Sequence, residues 1–149
     1  MSTSFLKQDL FTHLKKLKAD TVPEWGSMNA WEMVDHLRRG VLMSVSLERE
    51  EILSPPEQLP ALKRFLMSDK PFPPNRKKPA AYDNKPAFDG DLEEAKEALS
   101  KEIENMLAFY EQNPNFTAVH PSFGELTTAE WLHLHKKHFT HHLTQFNLM

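Results

Sequence analysis

Five histidines fall within HLHKKHFTHH, at positions 133–142, and they are the side chains best suited to chemistry in this chain. Imidazole binds zinc, nickel, copper and iron, and it moves protons near neutral pH. A helix turns by about 100° per residue, which sorts the five into faces. His138 and His142 lie one turn apart, roughly 40° around the axis, on the side that also carries Trp131, Leu134, Phe139 and Phe146. His133 and His141 fall towards the edge or the outside of that stripe. His135 points inward, either as packing or as a neighbour of a metal ligand. Two imidazoles at this spacing can converge on one ion. The same positions also suit core-edge histidines bonded to neighbours or to water.

A third ligand has to come from another element. His36 is the other histidine set in a strong apolar helical face, with Met33, Leu37, Val41 and Leu42. Two histidines from one helix and one from another leave coordination positions open, as catalysis requires, whereas structural zinc is normally closed by four protein ligands. Gln145, inward on the His138 side, can orient a water or hold a ligand histidine, or serve as a core-edge amide. Glu32 lies about 40° from His36 and could reach the site. As the third residue of a helix cap it has another role, which is the preferred reading. Asp35 is the remaining nearby carboxylate. His13 lies off its leucine stripe and reads as a surface residue, and His120, in HPSFGELTTAEW, reads as shaping a turn.

Four amphipathic stretches position these side chains. The first carries Leu6, Leu10, Leu14 and Leu17; the second starts at a cap made by Asn29 and Glu32. The third opens after Gly90, runs through Leu92, Ala95, Leu99, Ile103 and Met106, and stops at NPN, residues 113–115. The fourth starts at a Thr127–Glu130 box with a Leu126–Trp131 staple and is placed from about Thr128 to Phe146. Between the second and third, residues 51–90 hold eight of the eleven prolines and are expected to contain at most one short helix, around Leu59 to Met67. No strand alternation or hairpin signal competes, so the expectation is an all-α four-helix bundle with a long Pro-rich crossover between helices 2 and 3.

A chain of 149 residues is expected to form one domain, spanning 1–149. It contains no cysteine, which excludes disulfides, thiolate ligands and thiol nucleophiles, and fits the expected cytoplasmic location. The opening MSTSFLKQDLFTHLKKLK lacks the apolar run of a signal peptide, and no segment has the apolar length of a bilayer span. The net charge of −3 argues against nucleic acid or an acidic membrane as partner. Lys63, Arg64, Lys70, Arg76, Lys77, Lys78 and Lys85 interleave with Phe65, Phe72, Tyr82 and Phe88, a mixture that can bind single-stranded nucleic acid. In an acidic chain it reads instead as a loop pinned by aromatic anchors, a lid, or a dimer contact. No Gly-rich phosphate loop or Ser-His-Asp order is present.

PEWGSMNAWEMVDHL, residues 23–37, followed downstream by HPSFGELTTAEWLHLHKKHFTHHLTQF, residues 120–146, resembles the DinB/YfiT-like superfamily of proposed metalloenzymes, in a branch without an assigned function. The matching motifs are Asp35-His36-Leu37 and His138-Phe139-Thr140-His141-His142-Leu143-Thr144-Gln145. The resemblance implies a four-helix bundle holding a divalent ion, nickel or zinc, on His36, His138 and His142. It also implies homodimers and, in some members, transfer or isomerisation with a low-molecular-weight thiol. Where many of those enzymes read H-H-R-G-Q, this chain has Leu143-Thr144, and a cation able to meet an acidic substrate is missing there. The leading expectation is a metal-dependent transferase or hydrolase acting on water or a small thiol. The alternative is a non-enzymatic module in which the metal supports dimerisation.

Overall fold

Local capping chemistry starts each long helix. The computed structural model describes residues 3–74 and 77–149, and all structural statements concern those residues. A π-helical turn, Phe5–Asp9, runs directly into the short helix α1, Leu10–Leu14. α2 spans Ala30–Met43, and its box is complete: Asn29 accepts from the Glu32 amide, and Glu32 accepts from the Asn29 amide. α3 is Leu59–Met67, with proline in its first turn. α4, Leu92–Gln112, starts at an Asp91–Glu94 box. β1, Thr117–His120, and β2, Gly124–Thr127, then lead into α5, Thr128–Gln145, which the Thr127–Glu130 box opens. Each box satisfies two amides that the helix itself leaves unpaired.

The chain is mostly helical, but it is not the all-α four-helix bundle expected from the sequence. Among the described residues there are five α-helices, and β1 pairs antiparallel with β2 from Thr117↔Thr127 to His120↔Gly124. The three-residue connection Pro121 to Phe123 closes because Gly124 adopts φ +83°, open to glycine without strain. Trp131 pins this hairpin to α5 by donating its indole N–H to Ala118 O at 3.0 Å. The crossover also holds more helical turn than expected, since α3 is joined by 3-10 turns at Pro56–Gln58 and Ala80–Asn84.

The core is built from the predicted apolar stripes. Leu6, Leu10, Leu14 and Leu17 are buried with Met33, Leu37 and Val41 of α2, Leu99, Ile103 and Met106 of α4, and Trp131, Phe139 and Leu143 of α5. α2 packs most extensively on α4, and α5 closes over α2, α3 and β2. The crossover is latched to α2 beside His36. Asp35 Oδ1 accepts from Arg38 Nε at 2.8 Å and from the Phe88 amide at 3.3 Å, while Arg38 donates to Pro86 O at 2.6 Å. Arg39 bridges Asp35, at 3.0 Å, to Asp83, at 3.2 Å. The aromatic anchors Phe72 and Tyr82 are buried, and Phe65 and Phe88 pack partly against the core. No helix is long and apolar enough to cross a membrane.

Candidate metal centre

α2 and α5 bring His36, His138 and His142 together. His138 Nε2 lies 2.9 Å from His36 Nε2 and 3.1 Å from His142 Nε2. Ligand bonds of about 2.0–2.1 Å to one ion place neighbouring nitrogens roughly 2.9–3.4 Å apart, for octahedral to tetrahedral angles. Both distances from His138 lie in that range, and the ligand atoms of the three side chains, all within 4.8 Å of one another, form a group that could hold a metal ion.

Hydrogen bonding alone does not account for the triangle. Gln145 Nε2 donates to Trp25 O at 2.9 Å, which fixes the amide so that its Oε1 faces His142 Nδ1 at 2.6 Å. A carbonyl oxygen only accepts, so His142 carries its hydrogen on Nδ1 and presents a lone pair at Nε2. His138 Nε2 has either one hydrogen or one lone pair, so it cannot make independent bonds to both neighbours. A single cation takes all three lone pairs at once. The accompanying cost is that His36 Nδ1 and His138 Nδ1 are buried with no hydrogen-bond partner among the described residues.

The electrostatics suit neutral ligands. Burial holds the His36 and His138 imidazoles well below the usual histidine range, and neighbouring His142 pushes both the same way. Burial takes His142 down to about 4, although its bond to Gln145 opposes the shift. Neutral imidazole is the form that coordinates metal.

Gly26 lets the Trp25 segment approach the site so closely. It adopts φ +83°, and a Cβ there would stand 2.7 Å from Gln145 Nε2. A cavity of about 370 Å³ opens on the triad and is lined also by Glu32, Tyr82, His120 and Gln145. Exposed Lys77 and Lys78 line it as well, so it reaches the surface.

The other sequence candidates stand outside the three-histidine group, although Glu32 and His141 line its cavity. His135 is fully buried but turns away, its Nε2 lying 2.9 Å from Ser44 Oγ on the α2 side of the core. Burial pushes it down to about 3. Glu32 Oε1 accepts from the Asn29 amide at 2.9 Å, so its capping role is present although the side chain also lines the cavity. His141 is half-buried, 5.7 Å from the Trp25 ring, and His133 lies on the outer side of α5. His13, read as a surface residue, is half-buried and bonds Leu148 O at 3.0 Å. Arg76 of the basic loop lies outside the described residues. Leu143 is wholly buried in the core, and the cations at the cavity come instead from Lys77 and Lys78 of the crossover.

Trp25 and Gly26 were not picked out from the sequence, Tyr82 was named only as an aromatic anchor of the crossover, and His120 was read only as a turn residue. His120 does hold its turn, accepting from the Ser122 amide at 3.0 Å, but it also faces the cavity. In comparisons with known proteins, a family model described as "Protein of unknown function (DUF1569)" matches residues 6–149. No significant match was found among curated proteins or among solved structures.

Proposed function

We propose that this chain, which belongs to the DUF1569 family, is a metal-dependent enzyme with a divalent ion on His36, His138 and His142. Water or a small thiol would take the open positions, and transfer to a thiol or hydrolysis is the class of reaction. The observation that carries this reading is the convergence of three Nε2 atoms, with contacts of 2.9 and 3.1 Å, on the wall of a cavity that reaches the surface. An all-imidazole donor set suits zinc or nickel. When bound, such an ion supplies Lewis acidity to its remaining ligands.

The chain's own residues provide the setting. Gln145 holds His142 in the tautomer whose Nε2 is bare, and burial keeps the three imidazoles neutral. Lys77 and Lys78 bring positive charge to the cavity mouth and favour an anionic substrate. The competing reading, a metal that only ties α2 to α5, gives no role to an open cavity facing the ligands. A DinB/YfiT-like relationship, a homodimer and a cytoplasmic location belong to the same proposal.

The test has two stages. Protein purified without chelator should carry close to one divalent ion per chain by elemental analysis. It should then turn over at least one pair from a panel of small thiols and electrophiles, with activity lost in His36→Ala. A metal-free preparation with undiminished turnover would sink the reading.

A further inference from the structure

A second cavity, of about 460 Å³, adjoins the one that opens on the three imidazoles. Trp25, Phe72 and His141 line both, so the two share an aromatic wall. That wall stands close to the triad, since the ring centroids of His141 and His142 are 4.9 Å apart. The His141 ring lies 5.7 Å from that of Trp25 and 6.2 Å from that of Phe72. Beyond the wall, the second cavity runs between α5 and residues 68–74 of the crossover.

Local chemistry keeps this space open. Pro71, Pro73 and Pro74 fix φ in the crossover segment, which limits how far it can fold down onto the helix. Lys137 of α5 ties the start of the segment, donating from Nζ to Phe65 O at 2.7 Å and to Ser68 O at 3.3 Å. Phe72 is buried and stacks on Phe123 with centroids 6.2 Å apart. On the helix side Thr140 and Thr144 stand one turn apart, and their short side chains leave the space unfilled. Trp25, Pro71, Phe72 and Pro74 give apolar walls, while Lys70, Lys136 and Lys137 outnumber Asp69 around them. A preformed, mostly apolar cavity of this size with a few polar groups is the usual seat of a small molecule.

We propose that the second cavity holds the apolar body of the same ligand whose donor atom reaches the open side of His36, His138 and His142. This rests on the metal reading above and narrows its substrate class to an amphipathic anion with an acyl-like chain. The shared wall makes one ligand the occupant of both spaces. A chain anchored at the triad passes along Trp25, His141 and Phe72 and buries its methylenes between Thr140 and the prolines. The lysines at both cavities favour a ligand that is anionic overall.

Cobalt(II)-loaded protein titrated with straight-chain hydroxamates, from acetohydroxamate to octanohydroxamate, tests this through the visible absorption of the ion. Each methylene that enters the second cavity should tighten binding by roughly fourfold, so octanohydroxamate should bind at least about 50-fold more tightly than acetohydroxamate. Thr140 lines the second cavity and not the first, and Thr140→Trp fills it. That variant should keep its cobalt and its acetohydroxamate affinity while losing most of the gain with chain length. Thr144→Phe, at an exposed position of the same cavity, should act in the same direction and carries the test should Thr140→Trp not fold. A full gain with chain length in both variants would overturn the proposal. A changed oligomeric state in both would make the cavity a contact between copies of this chain and overturn it too. A parent that binds cobalt and acetohydroxamate but gains nothing with chain length would overturn this inference alone. A parent that takes up no cobalt, or no hydroxamate once loaded, would overturn the metal-enzyme reading as well.

Discussion

Gln145→Leu isolates what an outer hydrogen bond contributes to the centre. The substitution keeps most of the side-chain volume and removes two bonds, from His142 Nδ1–H to Oε1 at 2.6 Å and from Nε2–H to Trp25 O at 2.9 Å. Trp25 is half-buried, so its carbonyl can find water, but His142 is 6% exposed and its Nδ1–H would be stranded. An orphaned buried donor costs about 1–3 kcal/mol. The imidazole can escape that cost by moving its hydrogen to Nε2, which disables it as a ligand. Both routes weaken binding, and loss of such a partner typically lowers metal affinity by about 10- to 100-fold, or about 1.4–2.7 kcal/mol. Zinc competition against a chromophoric chelator at pH 7.5 measures this, with exposed Thr144→Ala as control. An affinity for Gln145→Leu within about twofold of the parent, with the fold intact, would refute the reasoning: the tautomer of His142 would then be set by something other than Gln145.

The remaining predictions concern the same centre. Single alanine changes at His36, His138 and His142 should each abolish stoichiometric metal by elemental analysis, while His133→Ala retains it. In metal-free protein the histidine pKa values are lower folded than unfolded, so the unfolded state binds more protons below pH 6.5. Stability is then full above about pH 6.5 and falls towards pH 4, each buried histidine withdrawing up to about 1.4 kcal/mol per pH unit. Denaturant titrations at pH 7.5 and pH 5 check this, and equal stability at both would contradict it. Gly26→Ala should lower stability by at least about 1–2 kcal/mol, the cost of a left-handed residue, and should weaken zinc binding as the new Cβ displaces Gln145. Gly40→Ala gains about 1 kcal/mol of helix propensity, but the Cβ presses on a Tyr82 ring backed by His36. A lower melting temperature is the expected net result.

Features that depend on short-range chemistry could be read before the structure. The Asn29–Glu32 and Thr127–Glu130 boxes, the span of α3 and the end of α4 at Asn113 are all decided within a few residues. The hairpin was missed for an equally local reason. Its strands are four residues each, and β1 is buried at Ala118, Val119 and His120 in succession, so it shows no alternation. The first helix carried its leucine stripe to the core but is split between a π-helical turn and a short α-helix. In the site, helical phase placed His36, His138, His142 and Gln145 on inward faces, and the structure brings them together. The opposite wall comes from a proline-rich crossover, a glycine turn and a hairpin. Nothing in Tyr82, Trp25 or His120 signals that these segments meet, because tertiary packing alone makes them neighbours.

The latch of Asp35 and the two arginines, and the caps of α2 and α5, are made by protein groups alone, and this bears on when an ion could enter. His138 and His142 are four residues apart, but His36 and His138 are separated by 102. By polymer scaling, closing the longer loop costs roughly 3 kcal/mol more than closing the shorter. An unfolded chain can therefore grip an ion with the pair on α5 but gains little by recruiting His36. During synthesis α5 is made long after α2, so the three histidines meet only when α5 has packed against α2. On the proposed metal reading, loading then follows folding. An ion present too early meets a stretch of five neighbouring histidines with many interchangeable ways to bind it, and the correct three are singled out only when the core forms around them.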